Sequence, residues 1–529
     1  MIKTNVKLPT DYSEADIIDR ITAALPVSRD EIGEVTVVRR TLNVKDKENV
    51  HYDMTVAFCL SSDREESLLK LRKRVSVYPD MTFAPPPACL PSRPVVVGAG
   101  PAGLFAALIL AESGARPVLY ERGLSVEERE SRVRLFTTLG MLDPECNIQY
   151  GEGGAGTYSD GKLKAGAPDK YKLKVLSEFV HHGAPEDIMY SSSAHVGTDK
   201  LSHIVRSIRE RIISLGGEVH FAARLIAIDV SDKRLVGGRV EKNGEIIDFS
   251  TNDLILATGH SAKDVFELLS QIGAPMEARG FGIGMRIEHP REYIDRLIYG
   301  NADASRLGAA SYHLVTHLPT GRSVYSFCMC PGGTVAAAAS ERGGIVTNGM
   351  SEYKRDGENS NAAILVSVTP DDFSGDVFSG IALQRSIERR AFAITSGTYR
   401  APAQRLDAFM KGRADVSFAG VKPSYPIGVE RVKAEKYLPE YVTDSMRLGL
   451  LDFDAWLPGF MYPEATLTGP ETRTTSPVRV LRGEDFMSLT VNGLYPIGEG
   501  AGYSGGIVSS ARDGVMCAEA ILEKYKKTP

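Results

Sequence analysis

Three glycines at G-x-G-x-x-G spacing, Gly98, Gly100 and Gly103, stand between the apolar run Pro94-Val95-Val96-Val97 and the Ala/Leu-rich run that begins at Leu104. The chemistry served by this pattern is the seating of a dinucleotide pyrophosphate. Gly98 permits a sharp strand-to-helix turn, Gly100 leaves room for the pyrophosphate against the backbone, and Gly103 lets the helix approach the strand. Ala102 falls in the first helical turn, where free N–H groups and the positive helix end meet the phosphates. A second run, Arg116 to Glu121, ends in an acid 18 residues beyond Gly103. Glu121 is therefore the expected acceptor for a ribose hydroxyl, with Arg122 next to it. The same literal pattern recurs at Gly151 to Gly156 and at Gly500 to Gly505. The first of these lacks a following helix and the second lacks room for a further acid-bearing strand, so neither is expected to be an independent dinucleotide fold.

Two later segments select the dinucleotide. Asp253 to Gly259 reads as a buried strand ending in Thr258-Gly259, and Gly493 to Gly500 reads as a strand entering a glycine-rich loop before a terminal helix over about 507–524. NAD needs no such closing element far along the chain. FAD is longer and is held along its ribityl and isoalloxazine parts by a returning strand and helix.

Together with the strings Gly151 to Leu163, Ala257 to Ala262, Gly469 to Pro477 and Gly498 to Ile507, this chain resembles the two-dinucleotide-fold flavoproteins, and within them the bacterial family of uncharacterised FAD-dependent dehydrogenases. The resemblance covers most of the chain from about residue 90 onward. It implies that Glu499, where the superfamily more often has Asp, meets the ribityl and pyrophosphate region. It also implies that the helix starting near Gly506-Ile507 aims its positive end at the flavin N1/C2=O edge. Gly154, Gly156, Thr157, Thr258, Gly259, Gly498 and Gly505 complete the expected cofactor set. No histidine or cysteine has a recognisable flavin-attachment context, so FAD is expected to be noncovalent.

Hydride arrival at flavin N5 creates negative charge at N1/C2=O, which calls for a helix N-terminus or a cation. The helix after Gly506 is the first candidate, with Lys162 and Arg473 as cationic ones; a surface lysine and a backbone- or phosphate-binding arginine are the plainer readings. His260 is a candidate for proton transfer or a hydrogen-bonding support. The expected function is an FAD-dependent oxidoreductase, a dehydrogenase or reductase acting on an unidentified small-molecule substrate. With no second complete fingerprint, NADH or NADPH would visit a cleft beside the flavin as a transient donor. The alternatives are a flavin monooxygenase or alkene-reducing flavoprotein and, in a different class, a flavin-bearing electron-transfer or binding protein that needs a partner protein.

The elements that must position these residues suggest an α/β chain in three parts. A ferredoxin-like α+β module over 1–92 contains a strand near Ile2–Leu8, a helix near Glu14–Leu25, β-rich runs near Glu34–Val44 and His51–Leu60, and a helix near Glu65–Val75. The proline-rich stretch 84–92 reads as a stiff linker. A Rossmann-like FAD-binding domain is expected over 93–280 and 485–529, interrupted by an α+β substrate domain over 281–484 that includes a helix near Ser386–Ile394. In the first part, Leu201, Ile204, Val205, Ile208, Ile212 and Ile213 recur at helical spacing before a Val219–Phe221 strand that would extend the nucleotide sheet. The pair Arg39-Arg40 reads as a solvated strand surface or an interaction face.

A net charge of −5 over 529 residues gives no general attraction to nucleic acid or anionic membrane. With no apolar signal core and no run near the ~20 apolar residues that span a bilayer, a cytoplasmic location is expected. Six scattered cysteines fit a reducing compartment and no metal pattern. Cys328-Met329-Cys330 is the one close spacing; it reads as a strand ending in a turn with alternating side chains, or as placing Cys330 and Gly332-Gly333 on the substrate side of the flavin. A C-x-C spacing disfavours the usual redox disulfide.

Overall fold

The computed structural model describes residues 1–70, 74–163, 168–301, 304–373, 375–414 and 417–526. Val95–Val97, three buried valines, is the centre of a five-stranded parallel sheet. Its spatial order is Leu494–Pro496, Leu254–Leu256, Val95–Val97, Val118–Tyr120, Glu218–His220. Strands covered on both faces read as continuous apolar runs, which is why three- and four-residue apolar runs suffice here. Leaving Val97, the chain turns at Gly98 with φ +103°, where a Cβ would lie 2.4 Å from the Ala257 carbonyl oxygen. The helix Pro101–Glu112 follows, with Gly100 at its N-cap and proline at the first helical position, where the missing N–H costs nothing.

That helix is buried from Ala102 through Ala111 because it lies between the sheet and the terminal helix Ile507–Lys524. Two glycines allow this closeness. A Cβ on Gly103 would stand 1.9 Å from the Gly98 carbonyl oxygen, and one on Gly514 would stand 2.1 Å from the Ala102 carbonyl oxygen. The helix Thr198–Ser214 covers the same core with Leu201, Ile204, Val205, Ile208 and Ile212. It delivers the edge strand Glu218–His220, one residue earlier than the periodicity suggests.

A second, seven-stranded sheet carries its own core. Phe281–Pro290 lies near its centre, antiparallel to Asn359–Val368 on one side and Thr466–Glu471 on the other, and Ser323–Cys330 pairs beyond Asn359–Val368. The helix Ser379–Ile394 begins seven residues before the expected start. Gly380 weakens the propensity signal there, while Ile381, Gln384, Ile387, Glu388 and Ala391 form the buried face.

The N-terminal segment forms a four-stranded antiparallel sheet in which Ile2–Pro9 is flanked by His51–Phe58 and Ser76–Val77, with Val35–Asn43 outermost. Its second helix spans Ser62–Leu69, earlier than the expected Glu65–Val75, of which residues 71–73 lie outside the described ones. Arg40 is neither simply solvated nor free. Its backbone N–H donates to the Tyr190 carbonyl at 2.7 Å, and its guanidinium lies 5.0 Å from the Tyr190 ring centroid. The strand is thereby tied to the rest of the chain. Among the described residues no helix is long and apolar enough to cross a membrane.

Gly514→Val is expected to force the two central helices apart at a cost of about 3 kcal/mol, the upper end for overpacking. Thermal denaturation of flavin-free protein should show a melting temperature several degrees lower; an unchanged one would mean that this contact does not limit the fold.

Candidate functional site

At the carboxyl ends of the parallel strands the chain opens a cleft of about 420 Å³. Four strand ends feed it: Gly98 after Val97, Glu121 after Tyr120, Ala257 to Gly259 after Leu256, and Gly498-Glu499 after Pro496. This is the edge at which open α/β sheets take ligands. The opposite wall comes from the seven-stranded sheet, through Ser326 to Met329, Glu471 and Arg473. The starts of the Pro101–Glu112 and Ile507–Lys524 helices both border the cleft. A Cβ on Gly156 would lie 3.1 Å from Ile507 Cγ1 and 3.6 Å from Pro101 Cγ, so the two positive helix ends face the same space.

The glycines separate into two groups. Gly98 and Gly103 are required by the protein itself, through the clashes described above. Gly100, Gly505 and Gly506 are not. A Cβ at Gly100 would meet only Gly154 Cα at 4.0 Å, one at Gly505 would meet nothing within 4 Å, and one at Gly506 only Ser509 Oγ at 3.9 Å. None of the three has positive φ in the left-handed range. All three line the cleft, so the space their missing side chains leave belongs to whatever enters it.

Glu121 is buried, and its carboxylate ties the glycine-rich loops together. Oε2 accepts from the Ala99 N–H at 2.7 Å, and Oε1 accepts from the Gly123 and Gly151 N–H groups, each at 2.9 Å. A carboxylate offers about four lone-pair sites, so one remains, and Glu121 borders the cleft. Arg122 donates to both oxygens of Asp264, at 2.6 and 3.1 Å, and to Glu145 at 2.9 Å, while lying 4.5 Å from the Tyr150 ring centroid. Among the described residues the Glu499 carboxylate accepts no hydrogen bond, and burial pushes it up to about 7 against the pull of Arg279.

One wall is a buried charge network. Arg473 donates to Glu388 from Nε at 2.9 Å and from Nη2 at 2.7 Å, and Thr472 Oγ1 donates to the same carboxylate at 2.7 Å. Burial alone would raise Glu388, yet Arg473, Lys263 and Thr472 outweigh it and hold it at about 2. Lys263 Nζ lies 2.6 Å from Glu341 Oε1, and burial together with Arg473 pushes the ammonium down to about 8. His260 is pushed down to about 4 by burial, Arg473 and Lys263, so its imidazole is neutral at pH 7; Nδ1 shares a hydrogen bond with Ser261 Oγ at 3.1 Å. Lys162 borders the cleft with Nζ 3.9 Å from Asp160 Oδ2, a carboxylate already engaged by Arg355 and Ser351.

The structure thus brings Lys162, His260 and Arg473 into one cleft with Gly98, Gly100, Ala102, Glu121, Arg122, Gly154, Gly156, Thr258, Gly259, Gly498, Glu499, Gly505, Gly506 and Ile507. Gly103 and Thr157 are not among the lining residues. Gly103 serves the helix–strand contact, and Thr157 sits in a small apolar pocket behind the loop, its hydroxyl donating to the Glu152 carbonyl. Sequence reasoning did not find Tyr150, Asp160, Phe327, Asn348 or Glu471, which also border the cleft, nor the buried partners Glu388, Lys263 and Arg286. Their pairing joins residues far apart in the chain, and no local spacing announces it. Cys328 lines the cleft, whereas Cys330 and Gly332-Gly333 do not. Those glycines instead make room for backbone, a Cβ falling 1.8 Å from the Arg355 carbonyl oxygen at Gly332 and 2.3 Å from that of Met350 at Gly333. No cluster of three or more metal-ligating side chains occurs among the described residues.

Residues 280–474 match a family model described as FAD-dependent protein, C-terminal domain-like. Along its length the chain is 41% identical over 533 residues to an uncharacterized protein of Clostridium beijerinckii, with 98% of each chain covered. Among solved structures it is similar to a flavoprotein/dehydrogenase from Cytophaga hutchinsonii, at 12% identity and TM-score 0.35 over 83% of this chain and 80% of that one. It is likewise similar to a 3-ketosteroid dehydrogenase from Rhodococcus jostii, at 12% identity and TM-score 0.35 over 84% and 100%.

Glu388→Gln leaves the Arg473 charge buried beside a neutral amide and should cost about 3–5 kcal/mol. Because Glu388 is held below its unfolded value of about 4.3, its stabilisation is full above that pH and is lost as pH falls toward 2. Thermal melts of both proteins at pH 6 and pH 3 should show the gap narrowing in acid; a gap of constant size would show that Glu388 is not the ionised partner.

Proposed function

Because this chain belongs to the family of FAD-dependent proteins, we propose that the cleft holds one FAD, noncovalently, and that the protein is an oxidoreductase passing a hydride between that cofactor and a small molecule. The observation that carries the reading is the trio Gly100, Gly505 and Gly506. The fold itself does not require glycine at these positions, yet all three face one cleft between two helix N-termini. Bound FAD supplies two-electron redox chemistry at the flavin N5.

The remaining chemistry belongs to the chain. Gly98, Gly100 and Ala102, with the positive end of the Pro101–Glu112 helix, seat the pyrophosphate. Glu121 uses its remaining lone pair for a ribose hydroxyl, and Arg122 with Tyr150 walls that end. Thr258, Gly259, Gly498 and Glu499 flank the ribityl chain, and Gly154 and Gly156 close over it from the other side. Gly505, Gly506 and the start of the Ile507–Lys524 helix face the ring, where the helix end and Lys162 offset the negative charge it gains on reduction. Arg473 is neutralised by Glu388 and Glu341, so its part is to hold the wall in place. Neutral His260 holds or releases a hydrogen-bonded proton toward a substrate. The opening past Ser311, Tyr312 and His313 is the route for that substrate and for a visiting NADH or NADPH.

Gly100→Val tests the seat directly. The valine Cβ has space in the flavin-free protein, so the melting temperature of that form should stay near wild type, while FAD affinity falls by tenfold or more, equivalent to about 1.4 kcal/mol. A folded variant with normal FAD occupancy would remove the pyrophosphate from this position.

A further inference from the structure

Among groups that the proposed mechanism does not use, Cys328 and Cys330 have the most unusual setting. In a regular strand, side chains two residues apart share a face but are separated by nearly 7 Å along the chain, which strains any bond between them. Ser323–Cys330 is not regular at this point. Phe327 lies opposite Ala363 and Cys330 opposite Asn361, so this strand takes three steps while its partner takes two. Cys328 absorbs the extra residue in the left-handed region, at φ +42°. The resulting bulge draws the two sulfurs to 4.0 Å. A disulfide requires 2.03–2.05 Å, a gap of about 2 Å that side-chain rotation can close.

The two thiols are not equivalent. Cys328 borders the cleft, whereas Cys330 is fully buried behind it. Arg286, held by Glu471 at 2.7 and 2.8 Å, reaches over both; its Nη1 donates to the Cys328 carbonyl at 3.0 Å and lies 3.9 Å from Cys330 Sγ. The Cys330 thiol, Lys162 and Arg286 together favour the Cys328 thiolate, pulling it below the ordinary thiol range against its burial, while Cys330 keeps its proton. Cys328 and Glu499 line the same cleft, Cys328 from the seven-stranded sheet and Glu499 from the end of a parallel strand.

We propose that Cys328 and Cys330 are a redox-active pair that exchanges two electrons with the flavin, an inference that rests on FAD occupying the cleft. In the reductive direction the anionic reduced flavin gives up two electrons and one proton. The S–S bond breaks, Cys328 is released as a thiolate beside Lys162 and Arg286, and the proton ends on Cys330. In the reverse direction the S–S bond forms, and the electron pair and the proton return to the oxidised flavin. The cleft-facing thiolate and the shielded thiol behind it match the division between an attacking and a resolving sulfur.

The test uses the full chain loaded with FAD and oxidised in air, alongside Cys328→Ser and Cys330→Ser, with flavin content measured in each. Anaerobic titration with dithionite is followed at the flavin band, and N-ethylmaleimide labelling of the denatured protein is read by peptide mass before and after. Wild type should take up twice the reducing equivalents per FAD that either serine variant does. Its peptide carrying both cysteines should be unlabelled when oxidised and doubly labelled once the flavin has bleached. Equal uptake in all three proteins, full labelling of the oxidised protein, or a disulfide that survives complete bleaching would each overturn the pair while leaving FAD binding intact. A chain that loads no FAD would overturn the flavin reading and the electron exchange with it.

Discussion

Everything at the cleft depends on how closely the Pro101–Glu112 helix is held between the parallel sheet and the Ile507–Lys524 helix. Backbone meets backbone on both sides of it, at Gly103 against Gly98 and at Gly514 against Ala102. Larger residues at either contact would tilt the helix, and its N-terminus would no longer share a space with that of its neighbour. Because each helix end carries roughly half a positive charge, two of them converging on one cleft favour an anionic, extended ligand there. The strand Leu494–Pro496 enforces the same convergence by pairing with Leu254–Leu256, which returns a distant part of the chain to the sheet where the first helix starts.

The second sheet contributes a wall whose charges are already balanced. Arg473 with Glu388, and Arg286 with Glu471, are buried ion pairs, and such pairs bring little net stability compared with well-packed apolar residues. What they provide is position: removing one partner strands the other, so the geometry of the wall is strongly defended. They also set the chemistry of their neighbours. Burial, reinforced by Arg473, keeps His260 neutral and lowers Lys263, and Arg286 lies over the bulge that brings Cys328 and Cys330 together.

The strand-end part of the cleft was legible in the sequence because it is built from consecutive residues. The Gly98–Gly103 turn, Glu121 after the next strand and the terminal helix from Ile507 all follow from local spacing, and the structure places them there. Glu121 was expected as a hydroxyl acceptor, whereas three backbone N–H groups already occupy most of its carboxylate. The far wall was hardly legible. Thr472-Arg473 was visible as a string, but its partner Glu388 lies 85 residues away, on a helix whose sequence signals only amphipathicity. The Cys328 bulge was hidden for a different reason: β-bulges depend on the register of two strands, and the alternation expected for Ser323–Cys330 gives no sign that Asn359–Val368 is one residue short against it.

Seating FAD is the role proposed for the paired helix ends at this cleft. The most direct measurement is the cofactor content of purified, folded protein after incubation with excess FAD and removal of the unbound fraction, with the released flavin identified by chromatography. One FAD per chain, with no covalent residue left on the protein, is the predicted result. A folded chain that retains no flavin, or that retains FMN in preference to FAD, would contradict it, because the paired helix ends would then have no pyrophosphate between them.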